Sequence, residues 1–168
     1  MTELSDEIRD EIEREITKSY IGGLVDGRAT LTVSISKVSS YTLGYTLQPL
    51  LKLSKTRPFS IQMVDDWAAK NGIYAEVKET ETGYTLQINR QGDIARFLEQ
   101  LYPYVQDKME AFEIMLDDVL PAMDRGDHYE SKESFVSIIE DVERIRQLTE
   151  GKGASKYTAE YFRDEWNL

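Results

Sequence analysis

The sequence predicts an α+β fold, with a sheet on one side and helices on the other. Apolar residues follow the order helix, two strands, helix, two strands, helices (αββαββα), with additional helices at the C-terminus. An apolar fraction of 40% in 168 residues suffices for one core, and the absence of cysteine excludes a disulfide framework and thiolate metal sites. We therefore expect one folded unit, in which residues 124–168 form a helical extension packed on residues 1–123.

The first helix is predicted from Leu4 to Gly27. Ser5 is its expected N-cap, because a hydroxyl oxygen can accept a hydrogen bond from a backbone N–H group that the first turn leaves unpaired. Ile8, Ile12 and Ile16 recur every four residues, which is the spacing of one helix face. The pattern therefore predicts that these three isoleucines face the core.

A long β-hairpin is predicted to follow this helix. Its first strand, Ala29 to Lys37, alternates between apolar and hydroxyl side chains. The apolar set is Leu31, Val33 and Ile35, and the hydroxyl set is Thr30, Thr32, Ser34 and Ser36. The second strand, Tyr45 to Ser54, contains Pro49, which indicates an edge or a bulge because proline has no N–H to donate.

The remaining elements are predicted from periodicity and from glycine and proline positions. They are a helix from Pro58 to Asn71-Gly72, strands Tyr74–Thr80 and Tyr84–Asn89, a helix with Ile94 to Leu101 that stops near Pro103, a helix Val105–Met123, a polar connector Asp124–Ser131, a helix Ser131–Gly151, a loop Gly151–Ser155 and a helix Tyr157–Trp166. Together with the first helix and hairpin, they complete the αββαββα order.

The charge of the chain is unevenly distributed. The net charge of −11 argues, taken alone, against a nucleic-acid partner. Residues 28–60, however, contain no acid, and their bases are Arg28, Lys37, Lys52, Lys55 and Arg57. Because the predicted hairpin lies within this window, its exposed side is basic and rich in hydroxyl groups, which suits a DNA backbone. The alternative is a solvated surface that only keeps the chain soluble.

A glycine-rich stretch joins the first helix to the first strand. It reads Tyr20-Ile21-Gly22-Gly23-Leu24-Val25-Asp26-Gly27-Arg28-Ala29. A glycine inside a helix costs about 0.5 to 1 kcal/mol relative to alanine, and close approach of another backbone is the usual compensation. The alternative is a helix that ends in a simple glycine turn at Gly27, but that does not explain Gly22 and Gly23 inside the helix.

These ten residues resemble the LAGLIDADG motif of the homing endonucleases. Ile21 to Gly27 fall on the first seven positions of the motif with conservative changes, and a fainter, collinear resemblance runs from about Thr17 to about Val119. The resemblance implies the αββαββα fold and a motif helix that packs against its twofold mate, so that a single motif implies a homodimer. The implied dimer interface consists of Ile21, Gly22, Gly23, Val25, Asp26 and Gly27.

The chain departs from the motif at Arg28, where the family carries the Asp or Glu that holds the divalent metal. A guanidinium has only donors and cannot replace an oxygen ligand of Mg²⁺. Asp26 points elsewhere, about 200° around the helix, and is interpreted as a structural carboxylate. Lys108 maps to a lysine that lies beside the cleavage centre of the family. Asp26 and Lys108 are therefore the candidate catalytic residues if any cleavage persists.

The resemblance also implies that the exposed face of the sheet lies along the major groove of DNA. The two Arg28 side chains of a homodimer would then occupy the places of the metals and contact phosphates, for which arginine is suited. Thr32 and Gln48 are candidates for contacts with base edges. The full set of candidate DNA-binding residues is Arg28, Thr30, Thr32, Ser34, Lys37, Gln48, Lys52, Ser54, Lys55 and Arg57.

The sequence thus predicts a DNA-binding homodimer without a cofactor, whose partners are double-stranded DNA and a second copy of itself. Two alternatives stay open: a Mg²⁺-dependent endonuclease that uses a displaced carboxylate such as Asp26, and a protein-interaction scaffold that does not bind DNA. His128 is the only histidine, which argues against a histidine metal centre or a Ser/His/Asp triad. No apolar run is long enough to span a membrane, so a cytoplasmic location is expected.

Overall fold

The computed structural model describes residues 5–149 and 155–168, except for the side chain of Lys55. Residue 4 of the predicted first helix, the last residues of the helix predicted to end at Gly151, and most of the predicted loop Gly151–Ser155 lie outside these ranges.

The first half of the chain follows the predicted order. Its elements are α1 (Asp6–Arg28), β1 (Ala29–Lys37), β2 (Tyr45–Thr56) and α2 (Pro58–Lys70). The Ser5 hydroxyl accepts a hydrogen bond from the backbone N–H of Ile8, with 3.4 Å between nitrogen and oxygen, which confirms the predicted N-cap. Pro58 lies at the first position of α2, where its missing N–H costs nothing.

The sheet is antiparallel and has four strands. A second hairpin, β3 (Glu76–Thr80) and β4 (Gly83–Ile88), completes it in the order β1-β2-β4-β3. Pro49 lies opposite Val33 of β1, whereas the pairing of β2 with β4 reaches only as far as Leu51. Pro49 therefore lies where β2 has one neighbour, which confirms the edge position that its missing N–H predicts.

The second half of the chain is helical. Its elements are α3 (Gln91–Leu101), a 3₁₀ turn (Tyr102–Tyr104), α4 (Met109–Glu113), a π-helical segment (Ile114–Val119), α5 (Leu120–Asp124), α6 (Asp127–Glu130), α7 (Lys132–Leu148) and α8 (Ala159–Trp166). The helix predicted to begin at Val105 begins at Met109. Its π-helical segment ends two residues before Pro121, which has no N–H for the regular helical hydrogen bond. The predicted polar connector contains α6, in which His128 is buried.

One hydrophobic core lies between the inner face of the sheet and the helices. It includes side chains from the C-terminal helices as well as from the sheet and α1. The ring of Tyr45 on β2, for example, packs against Phe135 of α7 and Phe162 of α8. Among the described residues, no helix is both long enough and apolar enough to cross a membrane.

One prediction about the core is wrong. Ile8, Ile12 and Ile16 are 45%, 45% and 63% exposed, so this face of α1 lies in solvent instead of in the core. The core contacts of α1 come only from its C-terminal part, where Ile21, Gly22 and Val25 are buried. Periodicity identified an apolar helix face, but whether the same chain covers that face depends on how far the helix extends past the rest of the molecule.

Candidate nucleic-acid interface

The C-terminal end of α1 is attached to the segment that leads into α4. The Asp26 carboxylate accepts hydrogen bonds from the backbone N–H groups of Gln106, Asp107 and Lys108, at 3.1, 3.2 and 2.8 Å. These three N–H groups precede the first turn of α4, so no intrahelical carbonyl is available to them. Asp26 thereby joins two parts of the chain that are about eighty residues apart.

These contacts determine the ionisation of Asp26. Burial raises the pKa of its carboxyl, but the three backbone hydrogen bonds and the nearby Lys108 ammonium together lower that pKa below its ordinary value of 3.8. Hydrogen bonds to the charged form of a carboxylate stabilise that form. The geometry thus supports the structural role that the sequence analysis assigned to Asp26.

Two cations lie near the end of the motif helix. Lys108 is only 8% exposed, and its ammonium donates a hydrogen bond to the backbone carbonyl oxygen of Asp26. Arg28 is exposed and forms the last residue of α1, directly before β1. Lys108 therefore lies beside the last turn of the motif helix, as predicted, and the residue that ends this helix is a cation. The guanidinium of Arg28 suits an anionic group such as a phosphate, whereas the Lys108 ammonium is held within the chain beside Asp26.

The residues at this place do not fit a bound Mg²⁺ ion. Magnesium takes oxygen ligands, whereas Arg28 offers only N–H donors and the carboxylate of Asp26 already accepts three backbone hydrogen bonds. Within residues 5–149 and 155–168, no three His, Cys, Asp or Glu side chains are grouped closely enough to hold a metal ion. Arg28 and Asp26 therefore do not provide the oxygen ligands that Mg²⁺-assisted hydrolysis requires.

The glycines of the motif face in two directions. Gly22 is buried against the 3₁₀ turn, where a Cβ atom would overlap the Cβ of Tyr104 and lie 2.9 Å from its carbonyl oxygen. Gly23 and Gly27 lie on the exposed side of α1. Apart from the adjacent residues and the backbone of the helix itself, no atom lies within 4 Å of the positions that their Cβ atoms would take. The close approach that the sequence predicted at Gly22 is therefore made within the chain.

This placement narrows the predicted dimer surface. Ile21, Gly22 and Val25 are covered by their own chain, and the Asp26 carboxylate is used as described above. On the motif helix, Gly23 and Gly27 are left as the predicted interface residues that offer open surface.

The outer face of the sheet carries most of the candidate DNA-binding residues. Strand register places Thr30 of β1 opposite Lys52 of β2, and Lys52 opposite Gln87 of β4. A second row places Ser34 opposite Gln48. Alternation along the strands adds Thr32 and Ser54 to the same face. The structure thus brings the predicted hydroxyl, amide and lysine side chains together on one surface.

Two other candidates lie apart from this face. Lys37 pairs with the buried Tyr45 at the end of β1, so strand alternation places it on the side that the helices cover. There it is close enough to Glu165 of α8 to contribute to the lowered pKa of that carboxyl, after the hydrogen bonds from Tyr161 and Tyr45. Arg57 is exposed at the N-cap of α2. The side chain of Lys55 lies outside the described part of the chain.

Sequence reasoning missed two residues of this surface. Arg146 of α7 reaches β1, which is an edge strand of the sheet. Its guanidinium donates hydrogen bonds to the Thr32 hydroxyl at 3.2 Å and to the Val33 carbonyl oxygen at 3.0 Å. Nothing in the local sequence of α7 indicates a contact more than 110 residues away. Gln87, in contrast, could have been found, because alternation around the buried Leu86 and Ile88 places it on the outer face.

Comparison with solved structures identifies the fold. The chain superimposes on the homing endonuclease I-CvuI in complex with the I-CreI target, with a TM-score of 0.75 and 18% identity over 89% of this chain and 92% of that one. The archaeal intron-encoded homing endonuclease I-Vdi141I, complexed with DNA, gives a TM-score of 0.75 and 16% identity over 92% and 99% of the two chains. The LAGLIDADG homing endonuclease I-LtrWI, bound to target DNA, gives 0.69 and 17% over 90% and 49%.

No protein-family model and no curated protein sequence matches this chain. The structural matches confirm the predicted αββαββα architecture, and the chain has the fold of the LAGLIDADG homing endonucleases.

Proposed function

We propose that this protein is a DNA-binding homodimer that has the homing-endonuclease fold but does not cleave DNA. The observation that carries this proposal is the chemistry at the end of the motif helix. A cationic Arg28 stands at the place of the metal-binding acid, and the neighbouring carboxylate of Asp26 is held by three backbone N–H groups. This site attracts a phosphate but offers no oxygen ligand set for a hydrolytic metal.

The proposed DNA contact is the outer face of the sheet. I-CvuI and I-Vdi141I, which share the fold, are described in complexes with DNA. In this chain, Lys52 lies between Thr30 and Gln87 on that face, and residues 28–60 contain no acid. Lysine positions the phosphate backbone, and hydroxyl and amide groups can bond to base edges in the major groove.

The proposed second partner is another copy of the chain. This chain spans 92% of I-CvuI but only 49% of I-LtrWI, so the longer protein has room for a second unit of this size, which a second copy would supply here. Gly23 and Gly27 offer a flat, open helix surface on which a second backbone can approach closely. A twofold axis at this surface would bring the two Arg28 side chains near each other.

Replacing Arg28 by aspartate is expected to weaken DNA binding at least about tenfold at 100 mM salt. Two phosphate contacts per dimer would be lost, so the slope of log affinity against log salt should fall by about 2 in magnitude. Fluorescence anisotropy with a mixed duplex across a salt series measures both quantities. The matched control is Lys70→Asp, which makes the same change of charge at an exposed position in the last turn of α2. An equal loss of DNA affinity in the Arg28→Asp and Lys70→Asp variants would contradict phosphate contact by Arg28.

The proposal as a whole is tested by incubating the same duplex pool with the wild-type protein, with and without Mg²⁺, and inspecting the products. Salt-sensitive binding that leaves the DNA intact is the expected result. Mg²⁺-dependent cuts would show that a carboxylate other than one at residue 28 holds a metal. No binding at any salt concentration would support a protein-interaction scaffold instead.

A further inference from the structure

The first three turns of α1 form an exposed amphipathic helix. Every residue from Ser5 to Ile16 is exposed, and most of these residues are charged. The apolar residues among them are Ile8, Ile12 and Ile16, which stand on one line along the helix. Single exposed apolar residues are ordinary on protein surfaces, but an apolar line on an otherwise charged helix is typical of a surface that another element covers.

Packing against another element would also stabilise the helical conformation of these turns. They extend a helix whose C-terminal part is packed in the core, and most helical stability in proteins comes from packing of an apolar face. Isoleucine is a weaker helix former than glutamine or lysine, so its presence at solvent positions does not improve the helix itself. Within the described structure, no element of the same chain buries this apolar line.

The apolar line is continuous with the open glycine surface of the motif. At 100° per residue, Ile8, Ile12, Gly23, Ile16 and Gly27 fall, in this angular order, within about 100° of the helix circumference. The buried Ile21 and Val25 project from the opposite side into the core. A second helix that lies along α1 and covers Gly23 and Gly27 therefore also covers the three isoleucines.

We propose that this apolar line packs against the same line of a second copy, so that the dimer interface extends along the whole of α1 beyond the glycine-rich motif. This inference rests on the homodimer of the proposed function. In a parallel pair related by a twofold axis along the helices, each residue faces its own mate. Glycine then faces glycine at the C-terminal end, where the two backbones approach most closely.

Isoleucine faces isoleucine at the N-terminal end of the same pair. Two helices that touch at Gly23 and Gly27 diverge away from that contact, because helix pairs cross at an angle. The larger side chains of Ile16, Ile12 and Ile8 fill this widening gap. A diverging pair of helices requires small residues where the helices touch and larger residues where they separate, and this face of α1 has that order. The occupant that matches it at every position is a second copy of this chain.

The inference is tested with a triple variant, Ile8→Gln, Ile12→Gln and Ile16→Gln, in the full chain. Glutamine is a better helix former than isoleucine. Weaker dimerisation of the variant would therefore result from the loss of apolar contacts and not from unfolding of the helix. Sedimentation equilibrium should show a dimer dissociation constant raised at least about tenfold. Amide hydrogen exchange in residues 6–16 should be slow in the wild-type dimer and fast in the variant. The control is Val77→Gln, which removes a 38% exposed apolar side chain from β3 and should leave both measurements unchanged.

A second variant separates this inference from the dimer itself. Gly27→Leu places a large side chain on the open glycine surface and should convert the protein to a monomer. If Gly27→Leu breaks the dimer but the triple glutamine variant does not, the extended interface is refuted while the homodimer stands. A wild-type chain that is monomeric at all concentrations would refute both.

Discussion

Replacing Gly22 by alanine is expected to lower the free energy of unfolding by about 1 to 3 kcal/mol, as overpacking of a buried site does. The added methyl group would overlap the Cβ of Tyr104 and lie 2.9 Å from the Tyr104 carbonyl oxygen. Both atoms belong to or adjoin the backbone of the 3₁₀ turn, so no flexible side-chain end can move aside. α1 and the turn would have to separate, which removes contacts of both with the core. Urea denaturation followed by circular dichroism measures the loss.

The matched control for this variant is one residue away. Gly23→Ala adds the same methyl group to the same helix, at a position where no other part of the chain lies within 4 Å. In the monomer it should raise stability by about 0.5 to 1 kcal/mol, because alanine is the better helix former. A similar decrease in the free energy of unfolding for Gly22→Ala and Gly23→Ala would mean that the tight contact with Tyr104 does not exist in solution. The two variants must be compared at a protein concentration low enough to keep both monomeric.

Replacing Asp26 by alanine is expected to lower the free energy of unfolding by about 2 to 3 kcal/mol, since hydrogen bonds to a charged acceptor are among the stronger ones. The change would leave the backbone N–H groups of Gln106, Asp107 and Lys108 without their shared acceptor. Asp26→Asn retains one acceptor oxygen, so it should lower the free energy of unfolding by about half that amount. Hydrogen exchange provides a local readout, because the amides of residues 106–108 should exchange much faster in the alanine variant. Unchanged protection of these amides would contradict the proposed attachment.

The contribution of Asp26 should also depend on pH. The pKa of its carboxyl in the folded chain lies below the ordinary value of 3.8, because the three backbone hydrogen bonds and Lys108 outweigh the effect of burial. A group whose pKa is lower in the folded state adds stability above its unfolded pKa. This stability should be fully present above about pH 5 and should decline as the pH falls through 3.8 and below. The stability difference between wild type and Asp26→Asn should shrink over the same range.

The elements of the fold could be predicted largely from local sequence patterns. The α2 helix shows why: Pro58 begins it, Asn71-Gly72 end it, and Ile61, Val64, Trp67 and Ala68 are buried as their spacing predicts. These features act within a few residues of one another, so they can be recognised without knowledge of the rest of the chain. The glycine-rich stretch likewise indicated the fold, because its residues meet a packing requirement that few other structures impose.

The candidate site could be predicted only in part. The alternation of β1 and β2 placed Thr30, Thr32 and Gln48 together on the outer face, as the register confirms. Arg146 could not be found in this way, since its contact with Thr32 depends on the packing of α7 beside the edge strand. Lys37 was grouped with the outer face by its charge alone, but its place in the strand alternation puts it on the other side.

The sequence by itself determined the order of elements, the outer face of the sheet and the presence of a cation at residue 28. These depend on residue identity and on spacing within one element. Only the tertiary structure decided that Gly22 packs against Tyr104, that Asp26 holds residues 106–108, and that the isoleucines of α1 are exposed. Each of these depends on which distant segment lies beside a given helix face, and local periodicity shows that a face is apolar or small without showing what covers it.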